Sequence, residues 1–141
     1  MITSYAGIEL IKRHESLQLQ AYRCPAGVWT IGYGHTRGVR RGDTCTPAEA
    51  EAFLKDDLRD AEAVVNRECS GLRQNQFDAL VSFVFNVGSG AFVKSTLLKC
   101  VKANPDNLNI RYELSRWTKS KGMQLAGLLR RRREEADLYF S

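Results

Sequence analysis

The sequence predicts an α+β fold: a small antiparallel-sheet lobe near the N-terminus, then a larger helical lobe. Three observations predict it. Residues 20–46 change character: AYRCPAGVWTIGYGHTRGVRRGDTCT is rich in Gly, Thr and aromatics, with turn signals at Pro25-Ala26-Gly27 and Gly42-Asp43. A capping-box pattern follows at once, with Thr46 as N-cap, Pro47 at the first helical position and Glu49 closing the box. From there to the end, apolar residues recur at helical spacing.

Taken in order, Ser4 is placed to cap a first short helix, with Ile8 and Ile11 on one side and Glu15 at or just past its end. The helix from Pro47 reads as one long element joining the two lobes. Leu72, Phe77, Leu80, Val81 and Val84 mark a buried helix that stops near Gly88. Leu97, Leu98 and Val101 mark another, ended by Asn104-Pro105, and two more follow around 108–117 and 124–138. No repeat, low-complexity segment or linker interrupts the pattern. The expectation is one domain, 1–141, with the sheet lobe at about 15–46 and a ligand cleft between the lobes.

A chain of 141 residues is long enough to bury a core without disulfide or metal staples. Twenty-one basic against sixteen acidic residues give a net charge of +5, which suits a polyanionic partner such as nucleic acid, an anionic membrane surface or acidic wall polymer. No run approaches the ~20 apolar residues that span a bilayer. The N-terminus lacks the basic and apolar regions of a signal peptide, so the protein is expected to be made and first held in a cytoplasm. Cys24, Cys45, Cys69 and Cys100 are widely spaced without a CxxC pair, which argues for free thiols and against a metal site.

The chemistry concentrates in RHESLQLQAYRCPAGVWTIGYGHT, residues 13–36. Cleaving a glycosidic bond needs an acid to protonate the leaving oxygen, and Glu15 is the only carboxylate between Lys12 and Asp43. A second carboxylate is missing: Cys24 holds a thiol, whose ordinary pKa of ~8.5 makes it a poor anion at neutral pH. Arg23 is its neighbour, but adjacent strand residues point to opposite faces. If the stretch from Val28 is a regular strand, Thr30, Gly32 and Gly34 share one face while Trp29, Ile31, Tyr33 and His35 share the other.

This segment resembles the active-site region of phage-type lysozymes, glycoside hydrolase family 24, whose pattern is Glu, eight residues, Asp or Cys, five residues, Thr. Glu15, Cys24 and Thr30 match both spacings, and GYGHT, GDTCTPAEAEAFLKDDL, FDALVSFVFNVGSGAFVKSTLL and GLLRRRREE continue the likeness along nearly the whole chain. The resemblance implies a lysozyme-like fold and an endolysin, an N-acetylmuramidase that cuts the β-1,4 bond between N-acetylmuramic acid and N-acetylglucosamine. It implies Glu15 as the acid, Thr30 as the residue that positions water, and Cys24 as a secondary helper. It also implies substrate binding by Asn86, with Ser95 and Thr96 near the same cleft, and a structural ion pair between His35 and Asp57. Phe85, Phe92 and Trp117 are expected in packing roles.

Arg130 to Arg133 look like a nucleic-acid signal, but four successive helical residues point to all sides, so one or two are expected to pair with Glu134, Glu135 or Asp137. The implied substrate is peptidoglycan, reached with the help of a membrane-permeabilising holin. A monomer is expected, with no cofactor, no metal, no nucleic-acid partner and no stable membrane insertion. The alternatives are a lytic transglycosylase, which leaves Cys24 without a role, and a wall-binding module that does not cleave.

Overall fold

The computed structural model describes the whole chain, Met1–Ser141. In chain order the elements are α1 (Tyr5–His14), β1 (Gln18–Arg23), β2 (Trp29–Gly32), α2 (Pro47–Asp57), α3 (Arg59–Glu68), α4 (Gln74–Val87), α5 (Ser89–Val93), α6 (Thr96–Ala103), α7 (Asn109–Ser115), β3 (Lys119–Ser120), β4 (Met123–Gln124) and α8 (Ala126–Tyr139). The class is α+β, a small antiparallel sheet followed by a mostly helical body. The chain divides into two compact units, Ile11–Arg59 and Met1–Leu10 with Asp60–Ser141.

In the first unit, β1 and β2 pair antiparallel with Tyr22 opposite Thr30 and Arg23 opposite Trp29, and the register shifts between Gln18 and Tyr22. A third segment lines the other side of β1, where the Cys45 N–H donates to Leu19 O and the Ala21 N–H to Asp43 O. Thr30, Ile31 and Gly32 are all buried. Gly32 lies against α2, where a side chain on it would come within 3.2 Å of Ala50 Cβ. The capping box is present as expected: Thr46 Oγ1 accepts from the Glu49 N–H, and Glu49 Oε1 accepts from the Thr46 N–H.

The single long helix expected from Pro47 is two helices. They meet at Leu58, which keeps a right-handed backbone (φ −73°, ψ −13°) and still donates its N–H to Leu54 O at 2.9 Å. Neither Gly nor Pro marks the junction. The interruption falls beside the boundary between the two units: α2, with Ala50 and Leu54 buried, belongs to one, and all of α3 after Arg59, with Ala61, Val64 and Val65 buried, belongs to the other.

The helical unit is organised on α4. Every residue from Gln76 to Val84 is buried, so this helix is covered on all sides. It ends at Gly88, whose φ of 96° is left-handed. Leu72, expected within this helix, lies ahead of its first turn and is half-buried. The short α5 and the β3–β4 ribbon were not anticipated; five and two residues are too few to display a period.

Within the same unit, Ser4 sits at the start of α1, accepting the Ile8 N–H on its carbonyl. Its hydroxyl donates to Asp78 Oδ2, and its N–H donates to Asp78 Oδ1 at 3.0 Å. Gly7 makes this approach possible, because a Cβ there would lie 2.8 Å from Asp78 Cβ and Cγ and 2.6 Å from Thr3 Cγ2. Gly7→Ala is therefore expected to destabilise the fold by about 1–3 kcal/mol through overpacking, read from the urea unfolding midpoint. An unchanged midpoint would show that α1 has room to move.

Candidate active site

The hairpin between β1 and β2 is closed by Cys24 and Val28. The Cys24 N–H donates to Val28 O at 3.0 Å and the Gly27 N–H to Cys24 O at 2.8 Å. Pro25 has the φ that the second position of such a turn needs, and Gly27 supplies the left-handed residue (φ 80°) that completes a three-residue hairpin loop. The same loop brings amide donors around the Cys24 sulfur. The Val28 amide, then that of Ala26, draws the half-buried thiol below its ordinary pKa, with a smaller pull from the Thr30 hydroxyl, and together they outweigh burial. Arg23 is engaged elsewhere: its guanidinium lies 5.3 Å from the ring centroid of Trp29, its cross-strand partner.

Thr30, opposite Tyr22 and so diagonal to Cys24 across the hairpin, is 4% exposed, and its Oγ1 donates to Val28 O at 2.9 Å. A hydroxyl has one proton and two lone pairs. While that proton faces Val28, Thr30 can only accept from the Cys24 thiol. Once the thiol ionises, the hydroxyl does better to donate toward sulfur. The two side chains therefore share a proton arrangement that changes with the charge of Cys24.

Glu15 is the first residue past α1. Its N–H donates to Ile11 O at 3.0 Å, which extends the helical hydrogen-bond pattern through it, and the residue is half-buried. Nearby, Lys12 is held by Glu51 at 2.8 Å.

His35 departs from the strand pattern expected of it. β2 ends at Gly32, and the chain turns back through Gly32 (φ 66°) and Gly34 (φ 90°). His35 consequently pairs with Ile31, the two exchanging N–H···O bonds of 2.9 and 2.8 Å. The alternation of faces thus stops at the first left-handed glycine. His35 Nδ1 lies 2.9 Å from Asp57 Oδ2, and the ring stacks on Phe53 at 4.4 Å between centroids. The structure brings His35 and Asp57 together with an α2 aromatic, and gives the imidazole a packing surface.

In the helical unit, Asn86 is exposed near the end of α4, and its Oδ1 accepts from Arg132 Nη2 at 2.6 Å. Ser95 is the N-cap of α6. Its hydroxyl donates to Phe92 O at 2.6 Å and accepts from the Leu98 N–H at 3.0 Å, so its proton is committed to Phe92 and a lone pair makes the cap. It also borders a pocket of 410 Å³ with Lys94, Thr96, Glu113, Arg116 and Trp117. Phe92 is fully buried, Trp117 meets Phe83 edge-on at 5.4 Å, and Phe85 is half-buried.

Comparison with known proteins bears on this arrangement. The phage lysozyme family profile matches residues 12–135, a span that holds every one of these side chains. The chain belongs to the phage lysozyme family. It is 44% identical to an endolysin of Acyrthosiphon pisum secondary endosymbiont phage 1, over 100% of this chain and 99% of that one. Its structure superposes on a point mutant of P22 lysozyme with a TM-score of 0.91 and 35% identity, covering 100% of this chain and 99% of the other. The muramidase domain of SpmX from Asticaccaulis excentricus matches with a TM-score of 0.90 and 42% identity, covering 98% and 97%.

For a phage lysozyme, one feature of this chain was not foreseen from its sequence: the role of Ala26 and Val28, whose contribution is a main-chain amide and so leaves no mark in residue type. The expectation that one or two of the four successive arginines pair internally holds: Arg131 and Arg132 both pair with Glu135, Arg132 being 1% exposed, while Arg130 and Arg133 are exposed.

The thiols separate by reactivity. Burial raises Cys45, with the Glu49 charge adding to it, and burial pushes Cys69 up to about 11. Alkylation by iodoacetamide, followed by mass spectrometry across a pH series, is expected to modify Cys24 before Cys45 and Cys69. The Cys24 half-maximal pH should fall below that of a free thiol, because the thiolate is the reactive form and the loop amides favour it. Equal rates at Cys24 and Cys69 would contradict the cradle described here.

Proposed function

We propose that this phage lysozyme is an endolysin of a phage or prophage and that Glu15, Cys24 and Thr30 carry its muramidase chemistry. Glu15 gives its proton to the oxygen of the β-1,4 bond as N-acetylmuramic acid separates from N-acetylglucosamine. A water held by the Thr30 hydroxyl attacks the anomeric carbon from the opposite face of the ring and passes its proton to the Cys24 sulfur beside it. A single displacement of this kind inverts the anomeric configuration. The observation that carries the reading is the Cys24–Thr30 contact, a thiol with a lowered pKa beside a hydroxyl, at the family's spacing from Glu15.

The sulfur then supplies part of the negative character that a carboxylate has in full. Asn86 is the proposed substrate contact in the helical unit; Ser95 contributes by capping α6 beside the basic pocket. His35 and Asp57 hold α2 and the turn after β2 in place. No helix is long and apolar enough to cross a membrane. The protein is proposed to act as a monomer that accumulates in the host cytoplasm and reaches peptidoglycan after a holin has opened the membrane.

Loss of turbidity of permeabilised Gram-negative cells tests the activity, and mass spectrometry of the digest tests the reaction. Hydrolysis predicts reducing muramic ends; anhydro-muramic ends would identify a transglycosylase, and retention on the wall without clearing would identify a binding module. Glu15→Gln is expected to lower the clearing rate by about 10²–10⁴-fold, the usual contribution of a general acid. Cys24→Asp is expected to stay near the parent rate, and Cys24→Ala to fall between them. Cys24→Ala as inactive as Glu15→Gln would overturn the subordinate role given to the thiol.

A further inference from the structure

Arg132 has no obvious place in the chemistry, yet it is among the most deeply buried side chains of the helical unit. Its Nε lies 3.0 Å from Glu135 Oε1, its Nη2 donates to Glu135 Oε2 at 3.4 Å, and its guanidinium carbon lies 4.9 Å from the Phe83 ring centroid. Glu135 is fixed in turn by Ser82, whose hydroxyl donates to Oε2 at 2.6 Å, and by Arg131 Nε at 3.3 Å. Toward the surface, Arg132 Nη2 donates to Asn86 Oδ1 at 2.6 Å. Ser82 and Asn86 are one turn apart on α4, and Glu135 and Arg132 are one turn apart on α8, so two rungs join the helices.

A guanidinium has donors and no acceptor. The Asn86 amide must therefore turn its oxygen inward to Arg132, which leaves its NH₂ as the group shown to solvent. That orientation follows from donor chemistry alone, although oxygen and nitrogen of an amide have nearly the same shape. A free asparagine offers a ligand either an acceptor or a donor. This one offers a donor only.

We infer that Arg132 is a positioning residue that locks Asn86 as a hydrogen-bond donor toward an acceptor oxygen of the glycan, a carbonyl or hydroxyl of an N-acetylated sugar. The inference rests on the proposed contact between Asn86 and substrate. Asn86→Asp separates it from a purely structural role, because the carboxylate still accepts from Arg132 but now shows oxygen to the glycan. Its thermal midpoint is expected to equal or exceed that of the parent, while KM for peptidoglycan rises about tenfold and kcat moves by less than about twofold. The same loss of affinity is expected for binding to purified sacculi in a Glu15→Gln background, where no cleavage intervenes. Arg132→Lys, which keeps a cation for Glu135, should weaken sacculus binding in the parent. It should weaken binding no further when Asn86 is already Ala, even if its thermal midpoint falls.

A protein that clears cells while Asn86→Asp keeps the parent KM overturns this inference and leaves the muramidase assignment standing. Additive losses in the Arg132→Lys, Asn86→Ala pair likewise overturn the positioning role. A parent protein that neither clears cells nor binds sacculi overturns both.

Discussion

The helical unit depends on a carboxylate with no access to water. Glu135 is fully buried and is ringed by two guanidinium groups and the Ser82 hydroxyl. Moving three charges out of water costs several kcal/mol per ion before any attraction is counted. Ser82 and Arg131 converge on one carboxylate oxygen, and Arg131 Nη2 also reaches Ser82 O at 3.2 Å, whereas Arg132 Nε and Nη1 and Glu135 Oε1 are buried without a hydrogen bond. What the cluster contributes is position. An apolar seam between α4 and α8 would tolerate a shift along the helix axes; paired charges at fixed turns do not. The Phe83 ring under Arg132 carries that register into the apolar core, since Phe83 also packs edge-on against Trp117 and Phe92.

The sheet-bearing unit is organised by backbone conformation instead. A three-residue loop with a left-handed Gly27 points two main-chain amides at Cys24, and a second pair of left-handed glycines returns the chain so that His35 pairs with Ile31. Side-chain chemistry then follows from where the turns put it. Neutral donors already fixed in the fold lower the pKa of the thiol, a form of preorganisation that needs no nearby cation. Arg23, the cation next to it in sequence, is stacked on Trp29.

How far the sequence could be read follows from the same distinction. Elements with their own local signal were readable: the Thr46–Glu49 capping box, the end of α4 at Gly88, the end of α6 at Asn104, and the Pro25-Ala26-Gly27 turn. Features decided by packing were not. Neither Gly nor Pro near Leu58 separates α2 from α3, and the division coincides with the boundary between the two units. Strand alternation does not extend to His35, because Gly32 and Gly34 both adopt φ values that end a strand. The helix expected at 124–138 is present as α8, but that its buried face includes Arg131, Arg132 and Glu135 is invisible to a hydrophobic pattern, which counts them as surface. The Ser95 hydroxyl borders a pocket and also caps α6, a second task that residue type alone does not reveal.

The arrangement around Cys24 bears on why a thiol is workable at this position. A carboxylate is ionised near neutral pH without help, whereas a thiol is mostly protonated unless its surroundings favour the anion. The loop supplies that help, and the shift is downward in spite of burial. Thr30 Oγ1 donates to Val28 O, so toward sulfur the hydroxyl is an acceptor while that bond lasts, and a thiolate would favour its proton instead. The charge of Cys24 and the orientation of the Thr30 hydroxyl are therefore coupled, and the amides of Ala26 and Val28 bias both toward the thiolate form.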